Sequence, residues 1–271
     1  MVNSIVLPVL IIILFISCNT NIEDSSAKLI SNREAQDTII YKALTNAQKH
    51  PLYSVERQKE LDKGLAEDST IAYLWQQKAM PLFKQGKYEI GMDFIDKAVK
   101  YDRKQWQDYR AFIKCIFAKT YKDAIIDFRD CKVRYGKSYV MDHSYDFYIA
   151  LSYLQLNEFQ RAEVIFKNDI DSLINNKSED WVHHLDLFYY GISKFEQKKY
   201  KEAIEIFNWA LKKYPEFSDV QYYKALCLLE LGKNEQAKKL FKDSKQNAEN
   251  GFSINEDNEV YERYPYQVRR R

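Results

Sequence analysis

Apolar residues in this chain recur at helical spacing, and the recurrence itself repeats. Five segments, YLWQQKAMPLF, DYRAFIKCIF, DFYIALSYLQL, LDLFYYGISKF and QYYKALCLLEL, place apolar side chains at i, i+3 and i+4 over about three helical turns. Each is followed by a short polar turn and a second periodic segment: GKYEIGMDFIDKAVKYD, TYKDAIIDFRDCKVRYG, EFQRAEVIFKNDI, KKYKEAIEIFNWALKKYP and GKNEQAKKLFKDS. Every second segment opens with a small residue (Gly91, Ala124, Ala162, Ala203, Ala237) and carries a large one four positions on (Ile95, Phe128, Phe166, Phe207, Phe241). The small slots lie 33, 38, 41 and 34 residues apart. One helix pair of this length cannot bury its apolar face, whereas stacked pairs can. The pattern therefore predicts an all-α array of about five helix pairs over residues 70–245.

The punctuation agrees. Gly86 and Gly232 fall in the turns between paired helices, where a left-handed backbone costs glycine least. Gly91 and Gly191 fall inside helices, a loss of about 1 kcal/mol relative to Ala, and so predict close helix contact. Pro81 predicts a kink in the first helix of the first pair. Residues 32–69 read as a degenerate sixth pair, with Pro51 at its turn. Two polar inserts, YGKSYVMDHSYD after Arg134 and DSLINNKSED after Ile170, read as longer loops between pairs. The polar tail, 246–271, reads as loosely ordered at its start, with Tyr261, Tyr264 and Tyr266 available to dock on the last helix.

These residues resemble the tetratricopeptide repeat. The fourth copy fits best, with Leu187, Tyr190, Gly191, Ala203, Phe207, Ala210 and Pro215; Lys194 departs from the pattern. The first copy keeps Trp75, Ala79, Leu82, Gly91, Ile95 and Ala98, and the second is the poorest, with bulky Phe112 in a small slot. The resemblance implies a right-handed α-solenoid whose first helices line a groove for a protein or peptide partner. On this chain the groove stripe maps to Gln76, Tyr109, Phe147, Phe188 and Tyr222, flanked by Tyr73, Phe83, Trp106 and Phe195. An apolar stripe of this kind suits an amphipathic helix or an extended peptide. The carboxylate clamp of some relatives needs Lys, Asn and Arg in the groove, and this stripe lacks them.

The amino terminus has a different pattern. Ile5 to Ile16 is a 12-residue uncharged run interrupted only by Pro8. It is too short to span a bilayer, which takes about 20 apolar residues, and suits the apolar core of a secretory signal. It ends in FISC, which resembles the lipobox of bacterial lipoproteins, with Phe15 where that motif usually carries Leu. The preceding MVNS lacks the usual Lys or Arg. The resemblance implies cleavage after residue 17, lipidation of Cys18 and attachment to a bacterial membrane, by expectation the outer one. Residues 18–31 then read as a tether, with Glu23 and Asp24 similar to the acidic export signals of some surface lipoproteins.

Composition narrows the chemistry. Apolar residues make up 46% of the 271, with only 7 glycines and 5 prolines, which favours a folded helical chain. The net charge of +2 owes +3 to Arg269, Arg270 and Arg271, so no nucleic-acid footprint remains. Cys115, Cys131 and Cys227 sit on apolar helical stretches and read as buried thiols, a Cys115–Cys131 bridge being the alternative in an oxidising compartment. His183 and His184 beside Asp180 and Asp186 invite a metal reading. Adjacent residues on a helix point to different sides, so they read instead as polar helix-start residues. His143 and His50 stand apart from them in sequence. No phosphate-binding glycine loop, Ser-His-Asp pattern or HExxH occurs. The expectation is thus a tethered, non-enzymatic scaffold without cofactor or metal. The alternatives are a component resembling the tetratricopeptide lipoprotein of outer-membrane barrel assembly, and a glycan- or ligand-binding lipoprotein.

Overall fold

Side-chain caps and left-handed residues set the rhythm of the fold. A computed structural model describes the backbone of residues 20–269 and the side chains of residues 32–269; the expected signal sequence and Cys18 lie outside these residues. The array proper pairs α3 (Ala72–Phe83) with α4 (Tyr88–Tyr101), α5 (Arg103–Ile116) with α6 (Tyr121–Tyr135), α7 (Tyr145–Gln155) with α8 (Phe159–Asn176), α9 (His184–Glu196) with α10 (Tyr200–Lys213), and α11 (Ser218–Glu230) with α12 (Asn234–Glu249). Each helix packs on the next along the chain, which makes an all-α solenoid.

Three of the five first helices start on a side-chain cap. Asp102 accepts from the Gln105 amide, Ser144 from the Phe147 amide and His183 from the Leu185 amide. All five end the same way, on a residue of positive φ: Gly86, Lys119, Asn157, Lys198 and Gly232. In four of these turns the next amide returns to a carbonyl five residues back, as from Lys199 to Lys194 at 3.0 Å, which satisfies the orphan carbonyls of the helix end. Only two of the five residues are glycine, so three turns were visible in the sequence through the repeat alone.

Gly91 and Gly191 sit at helix contacts as expected. A Cβ on Gly91 would lie 2.5 Å from the Phe83 ring, and one on Gly191 2.4 Å from the Phe207 ring. The large slots Ile95, Phe128, Phe166 and Phe207 are all buried in one continuous core that runs from Ala72 to the tail. Cys115, Cys131 and Cys227 are buried in or against the same core and are unbridged.

The amino-terminal pair is separate in character. Its first helix, α1 (Thr20–Ala47), begins inside the segment expected to be a tether. No Gly or Pro interrupts residues 19 to 50. Helix α2 (Val55–Glu67) packs on it around a small core of Ala43, Ala47, Leu61, Leu65, Ile71 and Leu74, with Trp75 bridging to the main core. Among the described residues no helix is long and apolar enough to cross a membrane.

The inserts are more ordered than plain loops. The first forms a two-residue hairpin, β1 (Tyr139–Val140) with β2 (His143–Ser144), turning through Met141 and Asp142 in left-handed conformations. The second is largely absorbed by α8, which runs to Asn176, and by a 3-10 turn over Glu179–Trp181.

Candidate functional site

The nine positions expected to line the groove divide into two groups. Tyr73 and Trp106 stack at 6.0 Å, Tyr109 meets the edge of Trp106, and all three keep some exposure. With Arg33, Gln36, Asp37 and Gln105, Tyr73 and Trp106 line a cavity of about 430 Å³ between α1 and the first two pairs. Gln76 is buried, and Phe83, Phe147 and Phe188 are no more than 1% exposed. These last three are a correction to the expected stripe, because they belong to the core. Phe147 stacks on His143 and packs on Phe166, while Phe188 packs on Phe217 and Tyr223. Phe195 and Tyr222 are half-buried, against Tyr200 and Phe241 respectively.

In the fourth and fifth pairs the residues presented to the groove are one position further on. Tyr189 donates to the Pro265 carbonyl at 2.9 Å, and Tyr223 meets Tyr266 edge-on at 5.9 Å. What they hold is the chain's own tail. Beyond α12, residues 254–268 leave and return to one anchor, the Asp219 carboxylate. It accepts from Ser253 Oγ and the Ile254 amide at the start and from the Val268 amide at the end. Between those points the segment reaches the opposite end of the array, where Glu262 pairs with Lys119 at 2.6 Å and accepts from Tyr88. Lys84 lies over the Tyr261 ring there. Such closure, with ends together and an internal anchor, is that of a compact Ω-type loop. Tyr264 and Ile254 pin it, at 2% and 4% exposure. The tail is thus an ordered strap across the first helices. The expected docking of Tyr264 and Tyr266 reaches well beyond the last helix, to α9 and α11.

A second site lies where the two inserts meet. His143 is not isolated. Its Nδ1 is 3.1 Å from Asp186 and its Nε2 is 3.3 Å from Glu256 of the strap. Burial works against charging this ring, but the two carboxylates outweigh it and hold its pKa up at about 9. Its charge in turn lowers the Glu256 carboxyl against the effect of burial. His183 and His184 do start α9, as expected. His183 is the N-cap, and Asp186 returns to the His183 amide to complete a capping box. Burial lowers His184 to about 4, and its ring meets Asn255 and Phe217. Asp169, half-buried, is raised to about 6 by desolvation, against the lowering effect of the hydrogen bond from Ser144. Asp142, Asp169, Asp186, His143, His183 and Trp181 line a cavity of about 470 Å³. Sequence reasoning missed this grouping because His143 lies on the first insert and His183 just beyond the second, at the start of α9; the two unusually long repeat spacings were the only signal.

The matched residues agree with this geometry. The tetratricopeptide repeat family model matches residues 194–250, which hold the end of α9 and the next three helices. A tetratricopeptide repeat-containing protein of Bacillus subtilis, YsoA, is 45% identical over 47 residues; that is 17% of this chain and 14% of the relative, so most of that protein's length is unmatched. A tetratricopeptide repeat protein from Parabacteroides merdae superposes with a TM-score of 0.62 at 17% identity, covering 79% of this chain and 80% of that one. PilW, a type IV pilus biogenesis factor, superposes with a TM-score of 0.61 at 11% identity, covering 81% and 96%. With its small slots buried in register and its pairs stacked as in these structures, the chain carries the tetratricopeptide repeat over residues 194–250 and shares the tetratricopeptide solenoid fold along its array.

Proposed function

We propose that this protein is a membrane-tethered scaffold of a bacterial cell envelope that holds a protein or peptide partner along its first helices. Tetratricopeptide arrays are typically non-catalytic and bind such partners. The observation that carries the reading is the strap. The first-helix face already binds 15 residues of irregular chain through Tyr189, Tyr223 and Asp219, so its chemistry suits polypeptide. The strap leaves the Tyr73–Trp106 end as the accessible part of that face, with a cavity beside it. The tether rests on the FISC sequence and Cys18, and with two or more acyl chains such an anchor is stable.

Photo-crosslinking in cells tests the docking surface. A crosslinking residue in place of Tyr73 or Trp106 in the full chain is expected to yield one discrete heavier adduct. Val133, 86% exposed on α6, serves as the comparison position. Adducts from Val133 but not from Tyr73 or Trp106, or none at all, would sink the groove reading. Cys18→Ser is expected to move the protein from the membrane to the soluble fraction; unchanged retention would count against the lipid anchor.

A further inference from the structure

We propose that His143, His183 and Asp186 form a binding site for a single zinc ion, held in register by Glu256 of the strap. One ligand atom from each of the three lies within 4.8 Å of the others. The finer distances fit a tetrahedral centre. Zinc bonds of about 2.0–2.1 Å put neighbouring ligand atoms roughly 3.3 Å apart and the centroids of two ligating imidazoles roughly 5 Å apart. Here His143 Nδ1 and Asp186 Oδ1 are 3.1 Å apart, and the two ring centroids are 5.2 Å apart at a steep angle of 72°.

The surroundings are those of a ligand set rather than a surface accident. His143 and Asp186 are buried, at 3% and 8% exposure, and the exposed His183 closes the set on its solvent side. His183 and Asp186 are fixed on the first turn of α9 by their capping box, and His143 is fixed in the hairpin by its stack on Phe147 at 3.9 Å. The far nitrogen of His143 faces the Glu256 carboxylate, the outer-shell partner that orients and strengthens a metal-bound imidazole. Asp142 and Asp169 add two further carboxylates to the same cavity. Lys177, which also lines the cavity, is turned onto the Trp181 ring at 3.9 Å. The ion takes the place of the proton on His143 Nδ1, which leaves to solvent. A mixed imidazole and carboxylate set selects zinc over magnesium or calcium. Three protein ligands facing a cavity of about 470 Å³ leave the fourth position to water or to an incoming ligand. Because Glu256 lies on the strap, metal loading and strap docking reinforce one another.

The test is titration of the chelator-treated full chain with zinc chloride by calorimetry. One equivalent is expected to bind. His183→Ser, which keeps an N-cap residue but removes the ligand, is expected to weaken binding at least tenfold. Glu256→Gln is expected to weaken it roughly 10-fold through the lost outer-shell contact. His50→Ser, on the amino-terminal pair, should leave it unchanged. Far-ultraviolet circular dichroism establishes that each variant is folded. A measurement on the unmutated chain stands independently: one equivalent of cobalt should give the intense visible absorption of a four-coordinate site. No saturable zinc binding, binding unaffected by His183→Ser, or only the weak spectrum of six-coordinate cobalt would overturn the proposal.

Discussion

The two ends of the first-helix face meet different surroundings. On α3 and α5 the aromatic residues Tyr73, Trp106 and Tyr109 stack on one another and stay partly exposed. On α9 and α11 the corresponding face is covered, because Tyr189 and Tyr223 hold the strap. The repeat is the same, but the second half has its surface completed by residues from outside the repeat. The lesson is that an aromatic stripe on a solenoid has no fixed role. It serves as core where the chain covers it and stays open to solvent where nothing does.

Substitutions at the covered and open ends test this contrast. The largest effect is expected at Tyr264, buried within the strap: Tyr264→Ala should lower stability by about 4 kcal/mol, read by denaturant unfolding. Trp106→Ala at the open end should cost only about 1 kcal/mol. Equal losses at the two positions would mean that the ends are alike. Next is Gly191→Ala, where the added methyl would meet the buried Phe207 ring at 2.4 Å. Overpacking there should cost about 3 kcal/mol, and the melting temperature of the variant checks it.

A smaller effect comes from Glu163, which ties the third pair to the fourth. Burial opposes its ionisation, but hydrogen bonds from Lys194, Lys199 and Gln197 prevail and hold its pKa at about 2, below the ordinary 4.5. A lowered carboxyl stabilises the fold above its unfolded pKa and loses that contribution as pH falls from about 4.5 through about 2. Because the group is partly exposed, roughly 2 kcal/mol is expected, after allowance for solvent screening. Glu163→Gln should flatten the stability profile across that window in acid titrations; an unchanged slope would remove Glu163 from the stacking contacts. The smallest effect belongs to Gly86→Ala. Its φ is +73° and nothing lies within 4 Å of the added methyl, so the cost is backbone strain alone, about 1 kcal/mol. Thermal melting would detect it.

Much of the fold was legible in the chain because each pair repeats one packing problem. A small residue at Gly91 or Ala203 must face a bulky side chain of the neighbouring helix, and that requirement leaves a period. The groove was legible only to within a residue. A shift of one position turns a helix face by about 100°, enough to exchange Phe188 for Tyr189. Both are apolar enough to fit either role, so periodicity alone does not separate them. The strap left no pattern, because its partners come from α4, β2, α9 and α11 and from the turn at Lys119, and its own residues are mostly polar.

What the sequence by itself determined is the repeating unit: helix, left-handed turn, helix, with small against large in register. Local spacing dictates these features, since every repeat satisfies the same geometry within about 34 residues. Only the tertiary structure decided which aromatic residues became core, that residues 254–268 close back on Asp219, and that His143 meets His183, Asp186 and Glu256. These contacts join residues as much as 174 positions apart, as between Tyr88 and Glu262. No local preference specifies them. They follow from the burial and charge pairing that become available once the array has stacked.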